Sequence, residues 1–207
     1  MSIHILVTTA EVSADHPLYA VRRSEYMLCL HKILNYNYPT TVIKSETDRN
    51  EKSCISDIEY KFSNVINIPN TAALGANGKS QQEYVSIKQF IDTNPSMDDD
   101  DWVVKLSGRY LLIDDTFMNE VRTASSETQG LIQLCDNDTQ MRTFCYALRY
   151  KWFKSFYKYP VQFMGYLNIE RFILDCIKRE NIINNIKVID RLGILANINN
   201  EDKYCVF

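Results

Sequence analysis

The chain has 207 residues, 45% of them hydrophobic and 24% charged, an ordinary globular composition with length for one substantial core rather than two domains. A formal net charge of −3 argues against a dedicated nucleic-acid binder, which carries a basic excess. No uninterrupted apolar stretch reaches the length of a membrane span.

Six cysteines, at 29, 54, 135, 145, 176 and 205, include no CxxC pair and no histidine-rich neighbourhood. Zinc and thioredoxin-like sites are therefore not indicated, and the thiols read as reduced and mostly buried, as in the cytosol. The first residues lack a basic region followed by an apolar core, so no secretory signal is visible and a soluble, cytoplasmic protein is expected.

Residues 3–9 form a β-rich run that ends in the polar loop TTAEVSADHP, and 21–36 reads as an amphipathic helix through Tyr26, Leu28, Leu30, Ile33 and Leu34. Together they make a βα unit. Thr8 and Thr9 then sit at the carboxyl end of the first strand, with Arg22 and Arg23 at the helix start. Arginines there oppose the helix dipole, which favours negative charge at that end; either a bound anion or solvation of both side chains accounts for them.

A second strand is expected at 40–44, a short helix at 48–60 and a third strand at 64–68. The segment NTAALGANGKS follows, with Gly75, Asn77 and Gly78 as turn formers, and 81–92 spaces Tyr84, Ile87, Phe90 and Ile91 as a helix. A glycine-containing loop between a strand end and a helix can cradle phosphate, here through Asn77 and Lys79. It has neither the GxxxxGK[ST] nor the GxGxxG spacing, which disfavours a P-loop kinase or a dehydrogenase.

Four aspartates at 98–101 read as a solvated acidic turn, at the wrong end of the next strand for a parallel-sheet site. That strand opens the central stretch 101–115, DWVVKLSGRYLLIDD. Trp102, Val103, Val104 and Leu106 suit a strand covered on both faces, whereas Lys105 inside it must snorkel or meet an anion. Ser107, Gly108 and Arg109 follow at the strand's carboxyl end, where open α/β sheets place ligands. Gly108 allows close backbone approach and Arg109 offers a planar fork to phosphate; pairing of Lys105 and Arg109 with nearby acids is the competing account.

Residues 115–123 read as a short helix capped by Asp115 or Thr116. A strand at 130–135 runs into Asp136-Asn137-Asp138, which is either a hard-cation site or a hairpin turn with 143–150 as the returning strand. The stretch 146–159, YALRYKWFKSFYKY, interleaves aromatic and basic residues. It fits a stacking surface for nucleic acid or sugar, or a strand and helix packing on the core. An amphipathic helix at 165–179, β-like runs at 186–189 and 192–198, and a loosely attached tail complete the chain.

On ILVTT with the following RRSEY, ANGKSQQEYVSIKQFI, DWVVKLSGRY and VIDRLGILANI, the chain resembles the nucleotide-sugar glycosyltransferases of the type A fold. The resemblance runs over essentially its whole length and is nearest to the chlorella-virus branch that decorates the major capsid protein. It implies a single α/β domain with a mixed, mostly parallel sheet of six or seven strands flanked by helices, its nucleotide-binding half at about 1–112 and its acceptor-side half at about 113–207. The implied activity moves a hexose or 6-deoxyhexose from a UDP-sugar to an oligosaccharide or glycoprotein acceptor in viral capsid glycan synthesis, with Mn²⁺ or Mg²⁺ as cofactor.

The donor would then contact Thr8, Thr9, Arg22, Arg23, Asn77, Lys79, Lys105, Ser107, Gly108, Arg109 and Tyr110. Relatives of this type carry Asp-x-Asp where this chain has Ser107-Gly108-Arg109. Lys105 and Arg109 would supply charge neutralisation in its place, or Asp136 and Asp138 would chelate the cation. Asp138 or Asp115 is the expected base or oxocarbenium stabiliser, with Arg109 on the leaving group. The alternative from another class is a non-catalytic glycan- or nucleic-acid-binding module using 146–159.

Overall fold

The computed structural model describes residues 1–10, 14–46, 53–69, 78–135, 138–161, 168–196 and 205–207. Its centre is a seven-stranded sheet built from β1 (Ile3–Ala10), β2 (Thr40–Glu46), β3 (Asn64–Pro69), β4 (Trp102–Ser107), β6 (Gly130–Ile132), β9 (Cys145–Arg149) and β10 (Ile186–Val188), in the order β10-β6-β9-β4-β1-β2-β3. Six of these strands run parallel, and β9 lies antiparallel to both β4 and β6. The mixed, mostly parallel α/β sheet expected from the sequence is the one observed.

Side chains alternate across this sheet, so each strand feeds two cores. Ile5, Val7, Val104 and Leu106 face α1 (Tyr19–Leu34) and α3 (Thr116–Thr123), meeting Tyr26, Leu30, Ile33, Phe117 and Val121. Leu6, Val103, Tyr146 and Leu148 face α2 (Gly78–Thr93), α4 (Tyr150–Phe156) and α5 (Ile169–Arg179), meeting Ile87, Phe90, Phe153 and Ile173. The alternation also sends Lys105, between Val104 and Leu106, to the α2 side.

Several sequence expectations are corrected. Within 48–60 the described part is a set of turns and a 3-10 turn at Glu59–Lys61; the Ser53 hydroxyl accepts from the Ile55 N–H at 3.3 Å, local bonding that competes with a helix. The strand expected at 130–135 breaks at Gln133. Beyond it, β7 (Leu134–Cys135) pairs with β8 (Gln140–Met141) as a hairpin, and Asp138 takes a left-handed φ of 62°. The returning strand is β9, as the hairpin reading has it.

Of the tail, residues 205–207 are described, and backbone pairing holds them. A second small sheet joins β5 (Leu111–Leu112), β11 (Ile194–Ala196) and β12 (Cys205–Val206), and Phe207 exchanges backbone bonds with Ile194 at 2.9 and 3.2 Å. In the 146–159 stretch, Tyr146, Tyr150, Phe153, Phe156 and Tyr157 are all buried. These five are core and form no stacking surface; Trp152 is half-buried and Tyr159 exposed. The acidic run behaves as a surface turn whose Asp99 and Asp100 pair with Lys154 and Lys151.

All six cysteines carry free thiols, four of them buried, and burial pushes the Cys29 thiol up to about 12. No helix among the described residues is long and apolar enough to cross a membrane.

Candidate active site: a cationic cavity at the sheet's carboxyl edge

A parallel sheet gathers strand ends and helix starts along one edge. Along that edge lies a cavity of about 670 Å³, within the usual size of small-molecule sites. Strand ends supply Thr8, Thr9 and Ala10 from β1, Ser45 from β2 and Ser107 from β4. Three helices open onto it at their N-terminal ends: α1 through Leu18 and Arg22, α2 through Gly78, Lys79 and Ser80, and α5 through Ile169 and Glu170. Each such end carries partial positive charge; the Tyr19 amide of α1 already donates to the His16 carbonyl at 2.8 Å and the Arg171 amide of α5 to Asn168 Oδ1 at 2.9 Å. Because β9 is reversed, the loop leading into it arrives at the same edge and adds Thr143 and Phe144.

The hydroxyls are fixed by the backbone. Ser45 Oγ donates to the Thr9 carbonyl at 2.9 Å, and Thr9 Oγ1 reaches the Ile43 carbonyl at 3.3 Å. Tyr26 Oη donates to the Ala10 carbonyl at 2.6 Å and accepts from its N–H at 3.0 Å, and its phenol is raised above its usual range, first by burial.

Of the expected donor contacts, Thr8, Thr9, Arg22, Lys79, Ser107, Arg109 and Tyr110 line this cavity together. Arg22, in the first turns of α1, pairs with Glu25 at 3.2 Å. Arg109 donates to Tyr110 Oη at 2.8 Å with its guanidinium 5.0 Å from the centre of that ring. It also lines a second, more open depression of about 470 Å³ with Val21, Leu28, Leu111 and Leu195.

Other expected residues stand elsewhere. Arg23 points its guanidinium to Asp57 at 2.6 Å and does not line the cavity. Gly108 is a glycine for packing rather than for ligand approach: a Cβ there would lie 2.9 Å from Thr9 Cγ2, 3.0 Å from Val7 Cγ1 and 3.2 Å from Tyr26 Cδ1. Asp115 lies beside α3, where its carboxylate accepts from Lys32 Nζ at 2.9 Å and Tyr36 Oη at 2.8 Å; these bonds hold it below the usual carboxylate range. Asp138 sits on the β7–β8 hairpin and is not among the lining residues. Asn77 and Asp136 lie outside the described residues, as do the glycine-loop positions 70–77.

Lys105 is fully buried and does not reach the cavity. Its ammonium pairs with the Glu83 carboxylate, donates to the Thr143 carbonyl at 2.7 Å and to Ser107 Oγ at 3.2 Å. All three of its donors are thus engaged. The lysine meets an anion, as its position in an apolar strand requires, but the anion is the protein's own.

Sequence reasoning missed Glu83 and Glu170, the two carboxylates that line the cavity among the described residues. The signal for Glu83 was present: it precedes Ile87 by four and Phe90 by seven, which puts it on the buried stripe of α2. Thr143 Oγ1 donates to Glu170 Oε1 at 3.2 Å, a tertiary contact with no local signature.

No family model matches the sequence, and no curated protein matches it significantly. Solved structures do match in fold. The 4-diphosphocytidyl-2C-methyl-D-erythritol synthase of Anaerococcus prevotii DSM 20548 superposes with a TM-score of 0.59 at 12% identity, over 91% of this chain and 86% of that one. Mouse xyloside xylosyltransferase 1 gives 0.53 at 9%, over 92% and 86%. A glycosyltransferase involved in glycosylation of the major capsid of PBCV-1 gives 0.51 at 8%, over 90% and 81%. The fold is the Rossmann-like one shared by nucleotidyltransferases and glycosyltransferases. The capsid enzyme is one of several equally distant matches, which corrects the expectation that it is nearest.

Proposed function

We propose that the chain is a glycosyltransferase that holds a nucleoside diphosphate sugar, UDP-linked, in this cavity and passes a hexose or 6-deoxyhexose to the hydroxyl of a glycan acceptor. The observation that carries this reading is the convergence of Arg22, Lys79 and Arg109 with the N-terminal ends of α1, α2 and α5 on one cavity. Such an arrangement suits a pyrophosphate, whose charge grows on the leaving oxygen as the sugar departs. Thr8, Thr9 and Ser45 offer polar contacts to ribose or base.

The side chains at the end of β4 do not fit a bridging divalent cation. Ser107 Oγ already accepts from Lys105, Gly108 has no side chain, and the Arg109 guanidinium would repel the metal. Among the described residues no group of three or more His, Cys, Asp or Glu could hold one. In this reading the diphosphate is neutralised by Arg22, Lys79 and Arg109, and Arg109 and Lys79 steady the departing nucleoside diphosphate.

A second reading, nucleotidyl transfer, has one observation in its favour: the fold superposes better on a diphosphocytidyl-methylerythritol synthase than on either glycosyltransferase. A single screen separates them. Thermal shifts with UDP-, GDP-, CMP- and dTDP-sugars, with Mn²⁺ and with EDTA, identify a ligand bound by the folded form alone. Release of a nucleoside diphosphate from the stabilising sugar nucleotide supports glycosyl transfer, whereas release of pyrophosphate from a nucleoside triphosphate and a sugar phosphate supports the other. No stabilisation by any of them removes both readings.

A further inference from the structure

We propose that Glu83 is the catalytic base of the cavity and that Lys105, sealed beneath it, is the positioning residue that fixes its carboxylate. The assignment rests on the glycosyl-transfer reading and names a residue that reading left open.

Glu83 approaches the cavity from α2, with Lys79 and Gln82 on the same helix. Its carboxylate is gripped from below by Lys105 of β4, and its side chain is 21% exposed. One group is therefore open to a ligand on one side and anchored on the other. Lys105 is held in turn by Thr143 and Ser107, which are both lining residues. An anchored carboxylate that shares its cavity with Arg22, Lys79 and Arg109 is the geometry wanted for removing a proton near a departing diphosphate.

The charged and titratable neighbours on each surrounding element set its proton affinity. Burial raises the Glu83 carboxyl, Lys105 of β4 opposes that rise, and the Glu170 charge of α5 adds to it. The phenols of Tyr146 on β9 and Tyr157 beyond α4 feel the same carboxylate, while Arg22 and Arg109 share the cavity. A raised carboxyl is a better base than an exposed one.

In the step itself the acceptor O–H bond breaks and its proton goes to a Glu83 carboxylate oxygen. The freed electron pair forms the bond to the anomeric carbon. The bond from that carbon to the diphosphate oxygen breaks, and its pair leaves with the nucleoside diphosphate. Water takes the acceptor's place in donor hydrolysis.

The test uses the full chain and UDP-glucose, UDP-galactose and UDP-N-acetylglucosamine as probes, with released UDP as the readout and UDP binding followed by calorimetry. Glu83→Gln keeps the side-chain shape and an oxygen for Lys105. It is expected to bind UDP within about 3-fold of wild type while hydrolysis falls about 100-fold or more. Lys105→Met is expected to move the acid limb of kcat/KM to higher pH, because the carboxylate loses its cation; a merely structural lysine would lower activity without moving that limb. If Lys105→Met does not fold, Glu83→Gln and Glu83→Asp decide alone, the latter losing most turnover by withdrawing the carboxylate.

Wild-type hydrolysis rates in Glu83→Gln overturn the assignment, as does loss of UDP binding in parallel with turnover. A wild-type chain that binds UDP but hydrolyses none of the three donors overturns it as well. Failure of the wild type to bind UDP at all removes the underlying reading instead.

Discussion

Lys105 Nζ donates to the Thr143 carbonyl at 2.7 Å across a separation of 38 residues, tying the end of β4 to the loop that leads into β9. With Glu83 as its counter-ion, the same ammonium links strand, helix and loop. Removing it leaves a carboxylate without its cation, which costs about 3–5 kcal/mol when fully buried. Glu83 is partly exposed to the cavity, so Lys105→Met is expected to cost less, about 2–3 kcal/mol by urea unfolding. The double change Lys105→Met with Glu83→Gln should recover part of that loss. Additive losses would show that the two side chains do not depend on each other.

Gly108 leaves no room for a methyl group. Gly108→Ala forces Thr9, Val7 and Tyr26 to shift and is expected to cost about 1–3 kcal/mol, the usual range for overpacking. Thr9 and Tyr26 also line the cavity, so UDP affinity should fall with stability. Calorimetry and thermal melting on the same sample check both; a variant as stable as wild type would mean that β1 and α1 yield easily here.

Arg109 separates binding from folding. Among its partners are the neighbouring Tyr110 ring and hydroxyl, and its truncation removes no side chain from either buried core. Arg109→Ala should weaken UDP about 10- to 100-fold, the worth of one or two charge-assisted hydrogen bonds, with a melting temperature within about 2 °C of wild type. Undiminished UDP affinity would remove Arg109 from the diphosphate site.

Acid destabilisation has an identifiable source. Hydrogen bonds from Thr116, and the Arg191 guanidinium beside it at 2.6 Å, hold the Asp114 carboxyl below its ordinary 3.8. Burial alone would raise Asp101, but bonds from Ser2 and the nearby amino terminus bring it below 3.8 as well. A carboxyl lowered by folding stabilises the protein above its unfolded value and loses that contribution as pH falls through the folded value. Glu83 has the opposite sign: its carboxyl is raised from 4.5 in the folded state, so stability drops as pH climbs through that raised value. Melting temperatures between pH 2.5 and 5 should therefore fall with acid, and less steeply in Asp101→Asn. An unchanged slope in that variant would place the acid sensitivity elsewhere.

Local pattern revealed the frame of this protein more fully than its site. The buried run 102–106 and the 3-and-4 spacing of α2 correspond to strand and helix as observed, because burial on two faces or one stripe leaves a periodic trace. Thr8, Thr9, Lys79, Ser107 and Arg109, picked out from their places at strand ends and helix starts, line one cavity. Lys105 was legible as a lysine needing an anion, but its partner 22 positions earlier on another element was not. Thr143, Phe144 and Glu170 reach the cavity only through the reversal of β9 and the start of α5, which are tertiary facts. The aromatic run at 146–159 left core packing and a stacking surface both open for a related reason: composition cannot say which side of a strand or helix meets solvent.

The reversal of β9 has a consequence for how such a chain diversifies. β1, β2 and β4 leave the sheet at the cavity, but β9 enters there, so the short connection from β8 into β9 is what brings Thr143 and Phe144 to the cavity wall. A change of length or sequence in that connection acts on Thr143 and Phe144 while leaving the order of the sheet strands alone. The shape of that wall can therefore drift while Thr8, Thr9, Ser45 and Ser107 stay fixed at the strand ends.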